Sequence, residues 1–341
     1  MLELIDFVKS HVFAVCLVFL TALIGFVFEP ALKRKSFDPT NIVHEELHFA
    51  NRNDGEASSD ENYLLSLVIP AYNEEERLPQ MLESTIGFLH SSKDELLKQC
   101  QKALTLKETK SSIIFEIVVV NDGSTDGTIS SLHDFVRRHR ESLASVDVKL
   151  VTLKRNSGKG AAVKAGMIYC KSSKLALMLD ADGATAISSL TSLLNDMIAS
   201  QSDVVFGSRA HLAQKSKVER SFVRTLLMNA FHFFVSALIG GSIQDTQCGF
   251  KLFRGESILP LFGNLHLQRW AFDTELVAII SKLGYKVSEV GVDWHEVDGS
   301  KLNTSKFALV KASVEMLRDM ICVRACYSMG IWKLKTQKKL E

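Results

Sequence analysis

The sequence has no excess of charge of either sign, no paired cysteines and little proline. Its 40 lysines and arginines are balanced by 39 aspartates and glutamates, for a formal charge of +1. A nucleic-acid-binding domain would carry a clear basic excess, so the balance argues against that class. Five prolines in 341 residues exclude a proline-rich extended chain. The six cysteines form no CxxC pair or Cys/His cluster, and we expect free thiols in a reducing compartment.

Long hydrophobic runs are also scarce, and the clearest one is close to the N-terminus. Residues 10–28 contain no formally charged side chain, and as a helix they would extend ~28 Å, close to the thickness of a bilayer core. A cleaved signal peptide would have a basic start and a small-residue cleavage site, which are missing. We therefore expect a retained transmembrane anchor after a short lumenal segment, residues 1–9.

Basic residues follow the apolar run and also occur close to the C-terminus. Lys33, Arg34 and Lys35 come directly after the anchor, which predicts a cytosolic body by the positive-inside rule. The tail, residues 333–341, has lysines at the fourth and third positions from its end, Lys338 and Lys339. This pattern resembles a dilysine retrieval signal, with a solvated basic terminus as the alternative. We predict a single-pass protein of the endoplasmic reticulum membrane with its body in the cytosol.

Between the anchor and the tail, the pattern predicts an α/β domain. Residues 29–63 are polar and mixed in charge, and they indicate a linker. Residues 64–210 alternate short apolar runs with segments of helical periodicity. Five strands are predicted, at 64–73, 113–122, 148–156, 174–182 and 203–209. Such alternation indicates βαβ units and a doubly wound, mainly parallel sheet.

Polar side chains follow each predicted strand. They are Tyr72 and Asn73, Asp122, Arg155 and Asn156, Asp180 and Asp182, and Arg209. Because ligands bind beyond the carboxyl ends of the strands in parallel sheets, we expect these groups to share one site.

Two aspartates follow the fourth predicted strand, in the segment LMLDADGAT. Asp180 and Asp182 are two residues apart, so in extended backbone they point to the same side. Two unpaired carboxylates that lie close together repel each other, and a divalent cation removes that penalty. Carboxylate oxygens suit Mg²⁺ or Mn²⁺, and Mg²⁺ often shares its ligands with substrate phosphates. The pair therefore predicts a metal site that carries a diphosphate.

Two glycine-containing segments supply further candidates for nucleotide binding. VVVNDGSTDGT places Asp122 before a tight turn, where its carboxylate could read a nucleobase edge; ordinary turn chemistry is the alternative. RNSGKGAAVKAG places Gly158 and Gly160 before a helix, where the backbone can approach an anion. Arg155, Lys159 and Lys164 are the basic candidates there. The spacing is not that of a P-loop.

Seven segments in order resemble the inverting family 2 glycosyltransferases, which have the GT-A fold. They are VIPAYNEEERLP, EIVVVNDGSTDGT, RNSGKGAAVKAGM, LMLDADGAT, VVFGSRAH, DTQCGFKLFR and WAFDTEL. Within this family, the chain is most similar to enzymes that transfer glucose from UDP-glucose to dolichyl phosphate. The resemblance implies inversion, a product used in N-glycan precursor assembly, Mg²⁺ or Mn²⁺, and contact with the lipid bilayer. The alternatives are mannose transfer from GDP-mannose and an inactive membrane-tethered nucleotide-sugar-binding protein.

The resemblance also implies roles for individual residues. Those expected to bind the nucleotide sugar are Pro70, Tyr72, Glu74, Asp122, Arg155, Lys159, Asp180 and Lys301. Those expected to act in catalysis are Asp182, Arg209, Lys251 and Asp273, with Lys251 and Lys301 contacting donor or acceptor phosphates. The acceptor phosphate is expected to meet Arg209, Arg220 and Arg224.

Asp273 has two possible roles. It matches the position of the base in family members whose acceptor is a hydroxyl group. A phosphate monoester has a second pKa of ~6 and is largely ionised near pH 7, so it needs no base. In that case, Asp273 would orient Lys251 or an arginine instead.

The segment 211–332 is expected to bind the acceptor and to contact the membrane interface. It contains two long apolar helices, at 218–239 and 307–332, neither of which is a convincing span. The first carries Phe222, Phe231, Phe233 and Phe234, and a core helix and an interfacial helix remain as two interpretations.

Overall fold

The computed structural model describes residues 18–32, 42–48, 63–105, 115–143, 145–210, 243–297 and 306–335. Some predicted features lie outside these residues. They are the first part of the anchor (10–17), the basic cluster 33–35, the helix 218–239 with Arg220 and Arg224, Lys301, and the lysines at 338 and 339.

An eight-stranded mixed sheet forms the centre of the protein, in the order β1-β4-β3-β2-β5-β7-β6-β8. The strands are β1 (Ile42–His48), β2 (Leu65–Ala71), β3 (Phe115–Asn121), β4 (Val146–Leu153), β5 (Leu175–Met178), β6 (Val204–Ser208), β7 (Lys251–Arg254) and β8 (Val287–Gly291). β4, β3, β2 and β5 are mutually parallel, as are β6 and β8, whereas β1 and β7 are antiparallel to their neighbours. The carboxyl ends of the five predicted strands therefore meet at one edge, as expected.

Helices cover both faces of the sheet. They are α1 (residues 18–27), α2 (Glu29–Leu32), α3 (Arg77–Ser91), α4 (Lys93–Leu104), α5 (Thr128–Arg138), α6 (Lys159–Tyr169), α7 (Ser189–Ser200), α8 (Gly255–Gly263), α9 (Phe272–Leu283) and α10 (Lys306–Ser328). One core cluster contains buried residues of α3, α4, α5 and α7. The other contains residues of α6, α8, α9 and α10. This double cover explains why β3 is buried along its whole length and reads as an apolar run.

The N-terminal segment departs from the prediction, because the linker expected at 29–63 contains two ordered elements. Residues of β1 pair with β4, with Ile42 opposite Leu153. Phe28, which precedes α2, and Ala31, which lies within it, pack against the second core cluster. An edge strand has one solvated side, so the polar sequence IVHEELH did not predict it. β1 covers the backbone groups that β4 would otherwise leave unpaired.

The helix α1 presents apolar side chains to solvent. Those exposed are Val18, Phe19, Leu20, Leu23, Ile24 and Phe26. Within the described ranges, the helices include none that combines the length and the hydropathy required to cross a bilayer. The predicted helix at 307–332 is present as α10 and ends at Ser328.

Candidate active site

Asp180 and Asp182 lie just after β5, at the carboxyl edge of the sheet. The Nζ atom of Lys159, the first residue of α6, lies 2.6 Å from Oδ1 of Asp180. The Oδ1 atom of Asp182 accepts a hydrogen bond from the Ala184 amide at 2.9 Å. Both carboxylates are partly exposed. An ammonium group thus offsets part of the repulsion that the sequence predicted between the two carboxylates.

A glycine permits the position of the Asp180 carboxylate. A Cβ atom on Gly249 would lie 1.9 Å from Oδ2 of Asp180 and 2.2 Å from its Cγ. No side chain larger than hydrogen fits there while the carboxylate stays in place. The carboxylate is therefore held between the backbone of residue 249 and the ammonium of Lys159.

The two carboxylates fit the kind of divalent cation that the sequence predicted. Mg²⁺ keeps several waters in its shell and is commonly held by one or two carboxylates together with substrate phosphates. The described part of the chain contains no cluster of three or more His, Cys, Asp or Glu side chains suited to a metal. Asp180 and Asp182 stay the predicted protein ligands, and a substrate diphosphate would supply further ligands.

Lys159 stands among three carboxylates. Burial alone would lower the pKa of its ammonium, but Asp180, Asp273 and Asp182 raise that pKa above its ordinary value. Lys159 is therefore fully protonated at neutral pH. Its Nζ atom also lies 5.8 Å from the ring centre of the half-exposed Trp270. The site thus has an ammonium group beside the predicted metal ligands.

A buried ion pair lies next to this cluster. Lys251 begins β7, which runs antiparallel to β5, so this residue lies at the same edge as Asp180. Its Nζ atom is 2.7 Å from Oδ1 of Asp273 and 2.5 Å from the carbonyl oxygen of Cys248. Burial raises the pKa of the Asp273 carboxyl, and Lys251 and Lys159 oppose that shift.

The buried pair bears on two predicted roles. Lys251 has no exposed surface, so a phosphate cannot reach its ammonium in this arrangement without a rearrangement of its neighbours. Its phosphate contact stays a prediction. Of the two roles considered for Asp273, the contact corresponds to orientation of Lys251.

Asp122 holds the loop that follows β4. Its two carboxylate oxygens accept hydrogen bonds from the Ser157 amide at 2.7 Å and the Gly158 amide at 2.8 Å. Burial raises the pKa of this carboxyl, and the two amides oppose the shift. Gly158 has φ +101°, in the region that favours glycine. Asp122 therefore orders the glycine-containing loop, and its nucleobase role stays a prediction.

The end of β2 is tied to the end of β3. The amide of Asn73 donates to Ser124 Oγ, and its side-chain oxygen accepts from the Thr125 amide. The Glu74 carboxylate accepts two hydrogen bonds of 2.7 Å from the guanidinium of Arg77. These contacts place the predicted nucleotide-binding residues of both strand ends side by side.

A cavity of about 530 Å³ lies between α3 and the segment 179–188, which follows β5. Arg77 and Asp182 both line it, together with Met81, Thr185 and Ile187. The cavity thus opens beside Asp182, with Arg77 of α3 on its other side.

Arg209, which follows β6, is held by a residue that the sequence analysis did not single out. Its Nε and Nη2 atoms donate to Asp245 Oδ2 at 2.7 Å and Oδ1 at 2.8 Å. The Asp245 amide donates in turn to Glu289 Oε1 at 2.8 Å. The guanidinium carbon lies 5.7 Å from the ring centre of Trp294. Arg209 is therefore fixed in orientation and remains partly exposed.

The structure brings most of the predicted residues to one edge. Asp180, Asp182, Lys159, Lys251 and Asp273 form one charge cluster, and Arg209 interacts electrostatically with Asp180. Pro70, Tyr72, Glu74, Asp122 and the exposed Arg155 lie on the neighbouring strand ends and loops. Arg220, Arg224 and Lys301 lie outside the described residues. The roles of all these residues stay predictions.

Comparison with known proteins agrees with the order of the segments. Residues 66–261 match the family model for glycosyl transferase family 2. The dolichyl-phosphate beta-glucosyltransferase of Dictyostelium discoideum is 39% identical over 280 residues, covering 81% of this chain and 78% of that protein. The Homo sapiens dolichyl-phosphate beta-glucosyltransferase is 37% identical over 282 residues, covering 81% of this chain and 80% of that protein.

A solved structure was also matched. Glucosyl-3-phosphoglycerate synthase from Mycobacterium tuberculosis, in complex with Mn²⁺, UDP-glucose and phosphoglyceric acid, aligns with a TM-score of 0.49 at 16% identity. The alignment covers 82% of this chain and 87% of that one. The family match spans more than half of the chain, and the identities above extend over four fifths of it. The chain therefore belongs to glycosyl transferase family 2 and is a glycosyltransferase, and the two relatives reported above are dolichyl-phosphate beta-glucosyltransferases.

Proposed function

We propose that this protein transfers glucose from UDP-glucose to dolichyl phosphate with inversion, giving dolichyl β-D-glucosyl phosphate for N-glycan precursor assembly. One observation carries the proposal: the carboxylates of Asp180 and Asp182, the ammonium of Lys159 and the fixed guanidinium of Arg209 converge at one edge of the sheet. The names of the relatives support the choice of dolichyl phosphate and glucose.

The charged groups at one end of the site support binding of the donor diphosphate there. Asp180 and Asp182 would hold Mg²⁺ or Mn²⁺, which when bound neutralises charge on the departing diphosphate. Lys159 adds a second positive charge at the same place. The nucleotide would lie on the strand ends and loops that carry Pro70, Tyr72, Glu74, Asp122 and Arg155, and Lys301 is proposed to contact a phosphate there.

The acceptor end needs a held phosphate and no base. A dolichyl phosphate monoester has a second pKa of ~6, so it is largely dianionic near pH 7. Its oxygen forms the new bond to the anomeric carbon as the bond from that carbon to the UDP oxygen breaks. Arg209, with Arg220 and Arg224, would hold the attacking phosphate in line. The contact of Asp273 with Lys251 supports a positioning role for Asp273.

We propose a location at the cytosolic face of the endoplasmic reticulum membrane. The acceptor's polyprenyl chain stays in the bilayer, so the site has to be held at the surface. The uncharged run at 10–28 and the exposed apolar side chains of α1 support a membrane anchor. The basic residues at 33–35 support a cytosolic body.

The experiment offers membranes that contain the full-length protein UDP-glucose, UDP-galactose and GDP-mannose, each radiolabelled in the sugar. We expect label from UDP-glucose alone to enter a mild-acid-labile lipid. Label from GDP-mannose instead would identify a mannosyltransferase. If no sugar enters lipid although the donor binds, the protein is a binding protein and the proposal is wrong.

A further inference from the structure

One arginine of α10 fastens the N-terminal helices to the body. Arg318 Nη1 lies 2.5 Å from Oε2 of Glu29, the first residue of α2. The Nε and Nη2 atoms of the same guanidinium donate to Oδ1 of Asp319 at 2.9 Å and 2.8 Å. The guanidinium carbon lies 5.3 Å from the ring centre of Phe26 in α1. We call these contacts the Arg318 clasp.

The clasp differs from the ion pairs on the protein surface. The Arg137 and Asp134 side chains are 79% and 54% exposed and lie three residues apart on one helix. The Arg318 and Glu29 side chains are 15% and 31% exposed and are 289 residues apart in sequence. Exposed pairs contribute little to stability, whereas a shielded pair with an aromatic ring over the cation holds its partners more firmly.

Apolar packing adds to the clasp. Phe28 and Ala31 lie against the core cluster that contains Cys322, Val323 and Cys326 of α10. The chain is thus held against the core cluster on both sides of Glu29, and α10 in turn packs on α9. Asp273 belongs to α9, so the structure that carries the clasp also carries part of the candidate active site.

We propose that the Arg318 clasp fixes the membrane helix to the catalytic body and so sets the position of the active site relative to the bilayer surface. The inference rests on the proposed membrane anchor and lipid-linked acceptor. Without the clasp, the packing of Phe28 and Ala31 would still hold α2 on the body, but the body could take more orientations. With it, the site is presented to the lipid phosphate in one orientation, which raises the effective concentration of that acceptor.

The test compares two acceptors that share the phosphate chemistry. Full-length protein in phosphatidylcholine vesicles is assayed with UDP-glucose and either embedded dolichyl phosphate or a short, water-soluble isoprenyl phosphate. We expect Glu29→Gln and Arg318→Ala to raise KM for dolichyl phosphate by about three- to tenfold. We expect KM for UDP-glucose and kcat/KM for the soluble acceptor to stay within about twofold, because no clasp residue lines the candidate site.

A matched control makes the same Glu→Gln change on α10, at a residue that is not part of the clasp. Glu315 is exposed on α10, one turn from Asp319, and Glu315→Gln should behave as wild type with both acceptors. If Glu29→Gln leaves KM for dolichyl phosphate unchanged, or impairs both acceptors equally, the inference is wrong while the proposed function stands. If the wild-type protein uses neither acceptor, the proposed function fails.

A second measurement tests the clasp without catalysis. A donor fluorophore is attached to the cysteine of the Arg140→Cys variant, at an exposed position. Energy transfer to a dye-labelled lipid then reports the distance of this position from the vesicle surface. The five cysteines of the described residues are buried. We expect one narrow distance distribution in the parent protein and a broader one after Glu29→Gln. Identical distance distributions would show that the clasp does not fix the orientation of the body, and the inference would be wrong.

Discussion

At the scale of single residues, Asp182 offers a clean test of the metal site. Asp182→Asn keeps an oxygen that can accept from the Ala184 amide and removes the negative charge. We expect glucose transfer to fall by about 10²–10³-fold, because the charge balance around the donor diphosphate is lost. The rate is measured with UDP-glucose in membranes, with the unfolding midpoint as a check on folding.

The control is Asp134→Asn in the exposed pair on α5, which should leave the rate unchanged. EDTA should also abolish transfer by the wild-type protein, and added Mg²⁺ or Mn²⁺ should restore it. If Asp182→Asn transfers glucose at the wild-type rate, the Asp182 carboxylate is not part of the metal site.

Asp245 predicts a pH dependence of stability. Burial would raise the pKa of its carboxyl, but the hydrogen bonds and charge of Arg209 lower it below its ordinary value. A group with a lowered folded pKa stabilises the protein above its unfolded pKa, near ~3.9, and that stabilisation is lost as the pH falls through the folded pKa. Asp245→Asn should therefore lower the unfolding midpoint by about 2–4 °C at pH 7.

The difference in unfolding midpoint between the two proteins should narrow as the pH falls from 5 to 3, because this range crosses the unfolded pKa of about 3.9 and the unfolded chain gains the proton first. Thermal unfolding of both proteins in detergent over this range measures it. A difference that is the same at every pH would show that the variant acts through packing and not through the charge of Asp245.

The sequence predicted which side chains lie at the strand ends, but it did not predict the residues that pair with them. Asp180, Asp182 and Arg209 reach one edge because parallel strands end there, and strand direction is readable from the alternating pattern. The pairing of Arg209 with Asp245 joins residues 36 apart in sequence. Such a contact depends on where β7 enters the sheet, which no local pattern encodes.

At the scale of elements, the segment that leads into β7 passes so close to Asp180 that only glycine fits at residue 249. Gly249→Ala would place a methyl group 1.9 Å from Asp180 Oδ2, so the carboxylate has to move from its position beside Lys159. We expect KM for UDP-glucose to rise by about tenfold as the donor site loses its geometry. Initial rates at varied donor concentration measure this.

Gly87→Ala is the comparison, because a Cβ atom there, within α3, would meet nothing within 4 Å. Alanine in a helix interior is favoured over glycine by about 0.5–1 kcal/mol, so this variant should be equally active and no less stable. If both alanine variants bind the donor as the wild type does, the close approach at residue 249 has no functional role.

The strands differ in how readable they were. β2, β3, β4, β5 and β6 were predicted because burial on both faces demands apolar runs. β7 is four residues long and starts with a buried lysine, Lys251, and β8 is only partly buried. Their pairing depends on tertiary contacts, and neither strand was predicted.

At the scale of the whole molecule, β1 makes the N-terminal segment part of the domain. A chain shortened to begin at residue 60 would lose β1 and leave β4 as an open edge. Exposed edges pair with other chains, so we expect this protein to aggregate. A chain that begins at residue 36 keeps β1 and should remain better dispersed. Light scattering and gel filtration of the two at equal concentration compare them, and equal behaviour would show that β1 is dispensable.

The segment between the apolar helix and the first buried strand is held at two separate places, at α10 through Glu29 and at β4 through β1. The contact of Glu29 with Arg318 holds the apolar helix against α10, and the β1–β4 pairing returns the chain to the same body. If the apolar helix lies in the bilayer as proposed, the mouth of the enzyme faces a constant direction. Lateral diffusion of the lipid, and not tumbling of the domain, would then bring the two reactants together.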